Sequence, residues 1–169
     1  MGTNMTTRFL HIGTTALALL IIAAGALAQT AGTTTPRTAA ARTTPGAEPQ
    51  LVALHVNQNE PAVMNLALNN AQNIIAHYRA LSKPVTIEIV TYGPGLHMLR
   101  DDKSPVKQRI SALALEEPGI TFAACANTRD GMAKAEGIDI RLLPEAKIVP
   151  SGVVRLIELQ GQGYAYIKP

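Results

Sequence analysis

Val85-Thr-Ile-Glu-Ile-Val-Thr-Tyr92, closed by Gly93-Pro94-Gly95, is a strand with its own stop signal. Its residues are mostly β-branched, which suits a pleated, packed surface, and Gly and Pro end it because neither sustains a ladder. It does not alternate cleanly between apolar and polar residues. A strand that is apolar on both faces belongs to a sheet covered on both sides, and such sheets are mostly parallel, with helices as the crossovers.

The flanking sequence supplies those crossovers. Upstream, Leu51 to Val56 is a short apolar run ended by Asn57-Gln58-Asn59, and it reads as another buried strand. Between the two strands, Val63, Leu66, Ala67, Ile74, Ile75 and Tyr78 fall at helical spacing. Asn59 stands where an N-cap belongs, Pro61 suits a first turn, and Lys83-Pro84 breaks the helix.

Downstream the pattern repeats. A short helical turn covers Leu96 to Leu99. Ser104-Pro105 then opens a helix with an apolar stripe of Val106, Ile110, Leu113 and Ala114, ended by Pro118-Gly119. Ile120-Thr-Phe-Ala-Ala-Cys125 is a third strand. Asn127-Thr128 caps a helix running to about Glu136, with Gly137 as terminator. Ile138 to Leu143 fits no single pattern. Lys147 to Val149 is a fourth strand, Pro150-Ser151-Gly152 leads into a helix carrying Val153, Val154, Leu156, Ile157 and Leu159, and Tyr164 to Ile167 is a last strand. Strands alternating with helices predict an α/β fold, a three-layer α/β/α sandwich around a mostly parallel sheet of about five strands.

The residues before this domain have a different character. Arg8 precedes a nearly unbroken apolar run from Phe9 to Leu27, and Ala26-Leu27-Ala28 has the small-x-small pattern of a cleavage site. Residues 1–28 therefore read as a secretory signal peptide cut after Ala28, which places the mature protein in the periplasm or outside the cell. The competing reading is an uncleaved anchor helix, the one route to a membrane association. Thr14, Thr15 and two glycines favour cleavage, and no cysteine follows the run to carry a lipid. Residues 29–50 are rich in Thr, Ala and Pro without apolar period, a composition that cannot offset its own ordering entropy, so they read as a disordered spacer. The domain itself is assigned to residues 51–169.

Charge narrows the partners. The whole chain carries a formal net charge of +3, yet from Leu51 onward 12 basic residues face 11 acidic ones. With no Trp and only two Phe, there is neither a basic cluster nor an aromatic platform for bases, and nucleic acid is set aside.

In parallel sheets, ligands gather beyond the carboxyl ends of the strands. Those ends are Asn57-Gln58-Asn59, Gly93-Pro94-Gly95, Cys125-Ala126-Asn127-Thr128 and Pro150-Ser151-Gly152, with His97 close behind the second. Cys125 is the only cysteine, so no internal disulfide staples the fold. At a strand end just before a helix, its thiolate would feel the positive end of the helix dipole, with Arg129 or His97 as a nearby cation or base. The opposing reading is a buried, inert thiol, since free cysteine is among the most buried residue types.

Other motifs carry less. His55, His77 and His97 show no metal-ligand spacing, and ordinary core or surface histidines explain them better than a metal site. Gly93-Pro94-Gly95 lacks the later glycine of a dinucleotide loop and the Gly-Lys-Ser/Thr of a P-loop. Ser104-Pro-Val-Lys107 matches Ser-x-x-Lys without its companion motifs, and no Gly-x-Ser-x-Gly elbow occurs. Nothing points to an organic cofactor.

Four stretches together resemble the DsrE/DsrF-like family of small sulfur-relay proteins. They are Leu54-His-Val-Asn57 with Leu66-Ala-Leu-Asn-Asn-Ala-Gln72, Val85 through Gly95, Ile120 through Thr128, and Val149-Pro-Ser-Gly-Val-Val154 with Gly163-Tyr-Ala-Tyr-Ile167. The resemblance covers the folded domain. It implies a five-stranded parallel sheet between helices and a homo-oligomer, a trimer or a multiple of it. It also implies a cysteine at the end of the third strand that takes up sulfane sulfur as a persulfide and passes it to a partner protein; the matching position is Cys125.

Two functions follow as expectations. One is a periplasmic sulfur-relay or thiol-redox protein with Cys125 as nucleophile and Asn127, Thr128, Gly93 and Gly95 shaping its pocket. The other is a non-catalytic oligomeric module that binds a small ligand among Asn57, Asn59, Gly93 and His97, with Cys125 merely packed.

Overall fold

The computed structural model describes residues 48–169; the leader and most of the spacer lie outside the described residues. β1 (Gln50–Val56) begins one residue earlier than its apolar run, because the Gln50 N–H donates to Pro84 O at 2.9 Å and extends the pairing. It lies parallel to β2 (Val85–Thr91), in register from Gln50 opposite Val85 to Val56 opposite Thr91. β3 (Ile120–Cys125), β4 (Ala146–Val149) and β5 (Ala165–Ile167) complete a five-stranded sheet in the order β4-β3-β2-β1-β5. Every strand pair is parallel.

That order sets the layers. The first three crossovers carry α1 (Pro61–Ala80), α2 (Lys107–Glu116) and α3 (Ala126–Glu136), and all step the same way across the sheet. The fourth, carrying α4 (Gly152–Gly161), returns over the whole sheet from β4 to β5. Right-handed crossovers that step in opposite directions deposit their helices on opposite faces. The core divides accordingly. The larger cluster packs Leu54, Val56, Ile87, Ile89 and Phe122 under Met64, Leu68, Leu99 and Ile110. The smaller packs Ala53, Val90 and Ala123 under Leu156 and Leu159 of α4. The α/β sandwich expected from the alternation is the one found.

Some local expectations shift. α1 buries Met64, Ala67, Leu68, Ala71 and Ile75, while Leu66 is exposed. Apolar residues wrap much of this helix, so two stripes compete, and the one carrying Met64 and Leu68 meets the sheet. The N-cap is Glu60, one residue after Asn59, with Pro61 at the first helical position. Ser104 does not cap α2. Its hydroxyl donates to Met98 O at 2.6 Å and accepts from Val106 N at 3.4 Å, shaping the turn ahead of a helix that begins at Lys107. The Asn-rich stretch of α1 has a structural explanation. Asn65, Asn69 and Gln72 turn amide oxygens to the Arg109 guanidinium of α2 at 2.6, 2.8 and 2.9 Å.

Two charged clusters interrupt the apolar layers. Glu88 of β2, on the α4 face, is buried and receives Arg155. Arg100 is fully buried and holds Asp102 and Glu136, tying the end of the Gly93–Leu99 3-10 helix to the end of α3.

Candidate functional site

β3 runs into α3 without a spacer, and the residue at the junction is Cys125. Its backbone is extended (φ −68°, ψ 117°), and it is itself the N-cap of α3, a place the sequence reading gave to Asn127-Thr128. A cap side chain accepts a hydrogen bond from an unpaired N–H of the first turn, and here the acceptor is sulfur: Thr128 N–H donates to Cys125 Sγ at 3.4 Å.

Thr128 is fixed in turn from β2. The Gly93 N–H donates to Thr128 Oγ1 at 2.9 Å, from a backbone with φ +52° that favours glycine. Gly95 presses onto the end of β1, where a Cβ would lie 2.2 Å from Val56 O and 2.7 Å from Asn57 Cα. Only a residue without a side chain fits there. The turns after β1, β2 and β3 are thus locked together through Asn57, Gly95, Gly93 and Thr128.

Cys125 also stands where the connections of two neighbouring strands part. It pairs with Val149 at the end of β4, and the chain leaves β3 for one face of the sheet and β4 for the other. Adjacent strand ends whose connections diverge leave a gap suited to a ligand. Across this junction Asn127 N–H donates to Pro150 O at 3.3 Å, and Gly152, the first residue of α4, is buried. Burial pushes the Cys125 thiol up. The Thr128 hydroxyl and the N–H groups of Gly152, Thr128 and Asn127 pull it down and prevail, so the pKa is lowered from the ordinary thiol value. The side chain is nonetheless 4 % exposed.

The remaining expected residues divide. Asn57 is partly buried and its Oδ1 is buried without a partner, while Asn59 and Asn127 are exposed. His97 has a buried, unpartnered Nδ1. Burial lowers its pKa, and the charges acting on it are those of Arg100, Lys103, Glu136 and Asp102, so it belongs to the ion-pair cluster behind the 3-10 helix. Arg129 bonds to neighbouring Asp130 at 2.8 and 2.9 Å. Neither supplies the cation or base that the sequence reading placed beside the thiol.

The histidine on the thiol's side of the sheet is His55. It pairs with Val90, and Val90 with Ala123, two residues before Cys125, so strand alternation puts His55, Tyr92 and Cys125 on the α4 face. His55 is 6 % exposed, its Nδ1 lies 2.7 Å from Tyr166 Oη, and its ring stacks on Tyr92 at 4.7 Å and 19°. Burial, followed by the charge of Lys168, lowers its pKa. The sequence carried one hint: His55 sat inside a strand, where a polar ring needs a partner.

Among the described residues, no three His, Cys, Asp or Glu side chains cluster as metal ligands, and no helix is long and apolar enough to cross a membrane. A cleft of about 470 Å³ lies at the amino ends of β2 and β3, between Arg79, Lys83, Val85 and Glu117, at the far end of the sheet from Cys125.

The comparison with curated proteins found no match. Among solved structures, the chain is similar to a protein of unknown function from Methanobacterium thermoautotrophicum, at 32% identity and a TM-score of 0.61, over 71% of this chain and 99% of that one. The model of the DsrE/DsrF-like family matches residues 19–169. With the parallel sheet and the strand-end cysteine in place, the chain belongs to the DsrE/DsrF-like family, a family associated with sulfur relay.

Proposed function

We propose that the protein is an exported carrier of sulfane sulfur, holding it as a persulfide on Cys125. The observation that carries this reading is the cap: the sulfur accepts the Thr128 N–H at the start of α3, a setting that favours thiolate. The thiolate attacks the outer sulfur of a donor persulfide, R–S–SH. The donor's S–S bond breaks, a new S–S bond forms on Cys125, and R–S⁻ leaves, so no oxidant is required. A partner thiol removes the sulfur by the same exchange in reverse. The donor and acceptor are proteins or small thiols that reach the ends of β3 and β4.

The working form is a homo-oligomer, a trimer or a multiple of it. Supporting this, α4 is the one helix on its face among the described residues, and Val153, Val154 and Ile157 on it are exposed, as are Ile148 of β4 and Tyr166 of β5. An exposed apolar patch of that kind marks an interaction surface. The leader read at residues 1–28 supports export, to the periplasm or out of the cell.

A second reading, a non-catalytic module binding a small ligand at the strand ends, is favoured by the low exposure of Cys125 and by the unpartnered Asn57 Oδ1. Native mass spectrometry of the protein after polysulfide treatment, beside Cys125→Ser, separates them. A gain of one sulfur mass on the wild type alone, reversed by reductant, supports the carrier. No gain on either supports the binding module.

A further inference from the structure

The cleft at the amino ends of β2 and β3 is built from parts that hold one another in place. Ile75 and Arg79 of α1 form one wall, and Ser82, Lys83 and Pro84 lead from it into Val85, the first residue of β2. Glu117, Pro118 and Gly119, ahead of β3, form the other. The turn after α1 is bonded back to the helix, Ser82 N–H to Arg79 O and Lys83 N–H to Tyr78 O, both at 2.9 Å. Arg79 Nη2 ties the same helix end to the Glu117 carboxylate, at 2.5 and 2.7 Å. Gly119 lies so close to β2 that a Cβ would stand 2.5 Å from Val85 O, and its carbonyl accepts the Ile87 N–H at 2.9 Å. The cleft is thus preformed, and its volume of about 470 Å³ falls in the range of small-molecule sites.

Its charges do not balance. Arg79 and Lys83 line it, against Glu117 as the one carboxylate in the lining. Lys83 has no ion-pair partner among the described residues. Arg79 gives Glu117 only Nη2, and among the described residues its Nη1 and Nε have no acceptor. Ser82 adds a hydroxyl in an unusual place. It is the one residue other than glycine with a positive φ among the described residues, +53°, just past a helix end where glycine is the ordinary choice. A side chain kept in such a conformation marks a place where function is to be sought. Ile75, Pro84, Val85 and Pro118 make the rest of the lining apolar.

We propose that this cleft is a binding site for a small organic monocarboxylate. The carboxylate meets Lys83, the unused N–H groups of Arg79 and the Ser82 hydroxyl, and an apolar body lies against Ile75, Pro84, Val85 and Pro118. One unbalanced cation suits a single negative charge. Inorganic phosphate carries more charge than that cation offsets and has no surface for the apolar lining. The cleft is at the far end of the sheet from Cys125, so this site stands independently of the persulfide reading.

The probe is octanoate, titrated into the full chain and followed by calorimetry and by backbone amide shifts in NMR. Saturable binding of one octanoate per chain is expected, with shifts gathered at Ser82, Lys83, Val85 and Gly119 and none at Cys125 or Thr128. Octanamide, which keeps the body without the charge, and inorganic phosphate, which keeps charge without the body, both bind more weakly. Lys83→Gln weakens octanoate by about three- to tenfold, between the effect of an exposed ion pair and that of a buried hydrogen bond to a charge. Ser82→Gly also weakens it, yet raises the thermal midpoint, because the strained φ is relieved. A purely structural serine would raise the midpoint and leave binding unchanged. No saturable octanoate binding, shifts gathered elsewhere on the chain, or equal affinity in wild type and Lys83→Gln overturns the proposal. Phosphate bound more tightly than octanoate overturns its ligand class. None of these outcomes bears on Cys125, whose persulfide is read separately by mass.

Discussion

Arg155 reaches from α4 to Glu88 on β2 and grips its carboxylate with two hydrogen bonds, 2.6 Å from Nε and 2.7 Å from Nη2. The carboxylate is buried beneath the helix, so the pair fastens α4 to the sheet at a point where an apolar contact would otherwise stand. Removing one member of a buried pair strands the other without solvent. Arg155→Met is expected to cost about 3 kcal/mol in urea unfolding. The double variant Arg155→Met/Glu88→Leu recovers most of that loss, because the stranded charge is gone. A single variant as stable as wild type would show that water reaches Glu88.

Gly95 is a steric requirement. Its missing side chain is the space in which the Val56 carbonyl sits, 2.2 Å from where a Cβ would be. Gly95→Ala is expected to cost about 2–3 kcal/mol, in the range of overpacked cores, because the obstruction is backbone and cannot rotate away. Thermal unfolding measures it, and an unchanged midpoint would mean that the turns after β1 and β2 are not locked.

Acid should loosen the cluster around Arg100. The Arg100 guanidinium, and then Lys103, hold the Glu136 carboxyl at about 2, and Arg100 holds Asp102 below its ordinary value. A carboxyl depressed in the folded state contributes stability that is complete above its unfolded value and is lost as pH falls through the folded one. Stability should therefore decline from pH 4.5 toward about 2. Glu136→Gln should flatten that decline while lowering stability at neutral pH. Urea midpoints measured across this interval decide, and parallel curves for the two proteins would exclude Glu136 as the source.

Thr128 joins the Gly93 turn to the sulfur, and its hydroxyl does two jobs. It accepts the Gly93 N–H, and it helps hold the thiol below its ordinary pKa. Thr128→Ser preserves both. Thr128→Val should lose about 1 kcal/mol of stability through the unpaired Gly93 N–H and should raise the thiolate midpoint read by alkylation. Equal midpoints in the Ser and Val variants would assign the effect to the backbone N–H groups alone.

The strands and the parallel sheet were legible because β-branched runs and Gly/Pro stops are local signals; β3 was read from Ile120 to Cys125, and those are its ends. The buried face of α1 was harder, since Val63, Met64, Leu66, Ala67 and Leu68 crowd one another and only contact with the sheet selects among them. The Arg155–Glu88 and Arg100–Glu136 pairs join residues 67 and 36 positions apart, beyond any periodic pattern. For the site, Cys125, Gly93, Gly95 and Thr128 follow from strand ends meeting at one edge. His97 was read there for the same reason, but the 3-10 helix carries it toward Arg100. His55 became visible only through the register, which aligns it with Val90 and places it under α4.

The order of the sheet also bears on how the chain folds. Of the five strands of the sheet, β1 is synthesised first, and one of its two neighbours, β5, last, with Val52 opposite Ala165. Contacts so far apart in sequence form slowly, because the loop must be closed before the pairing repays it. Until β5 is available, β1 is an open edge and His55 lacks the Tyr166 hydroxyl. β1 through β4 with their three helices can assemble as synthesis proceeds, but the face bearing the thiol is finished only after α4 has crossed the sheet and β5 has docked. The docking of β5 beside β1, rather than the assembly of the first four strands, is the event that closes this domain.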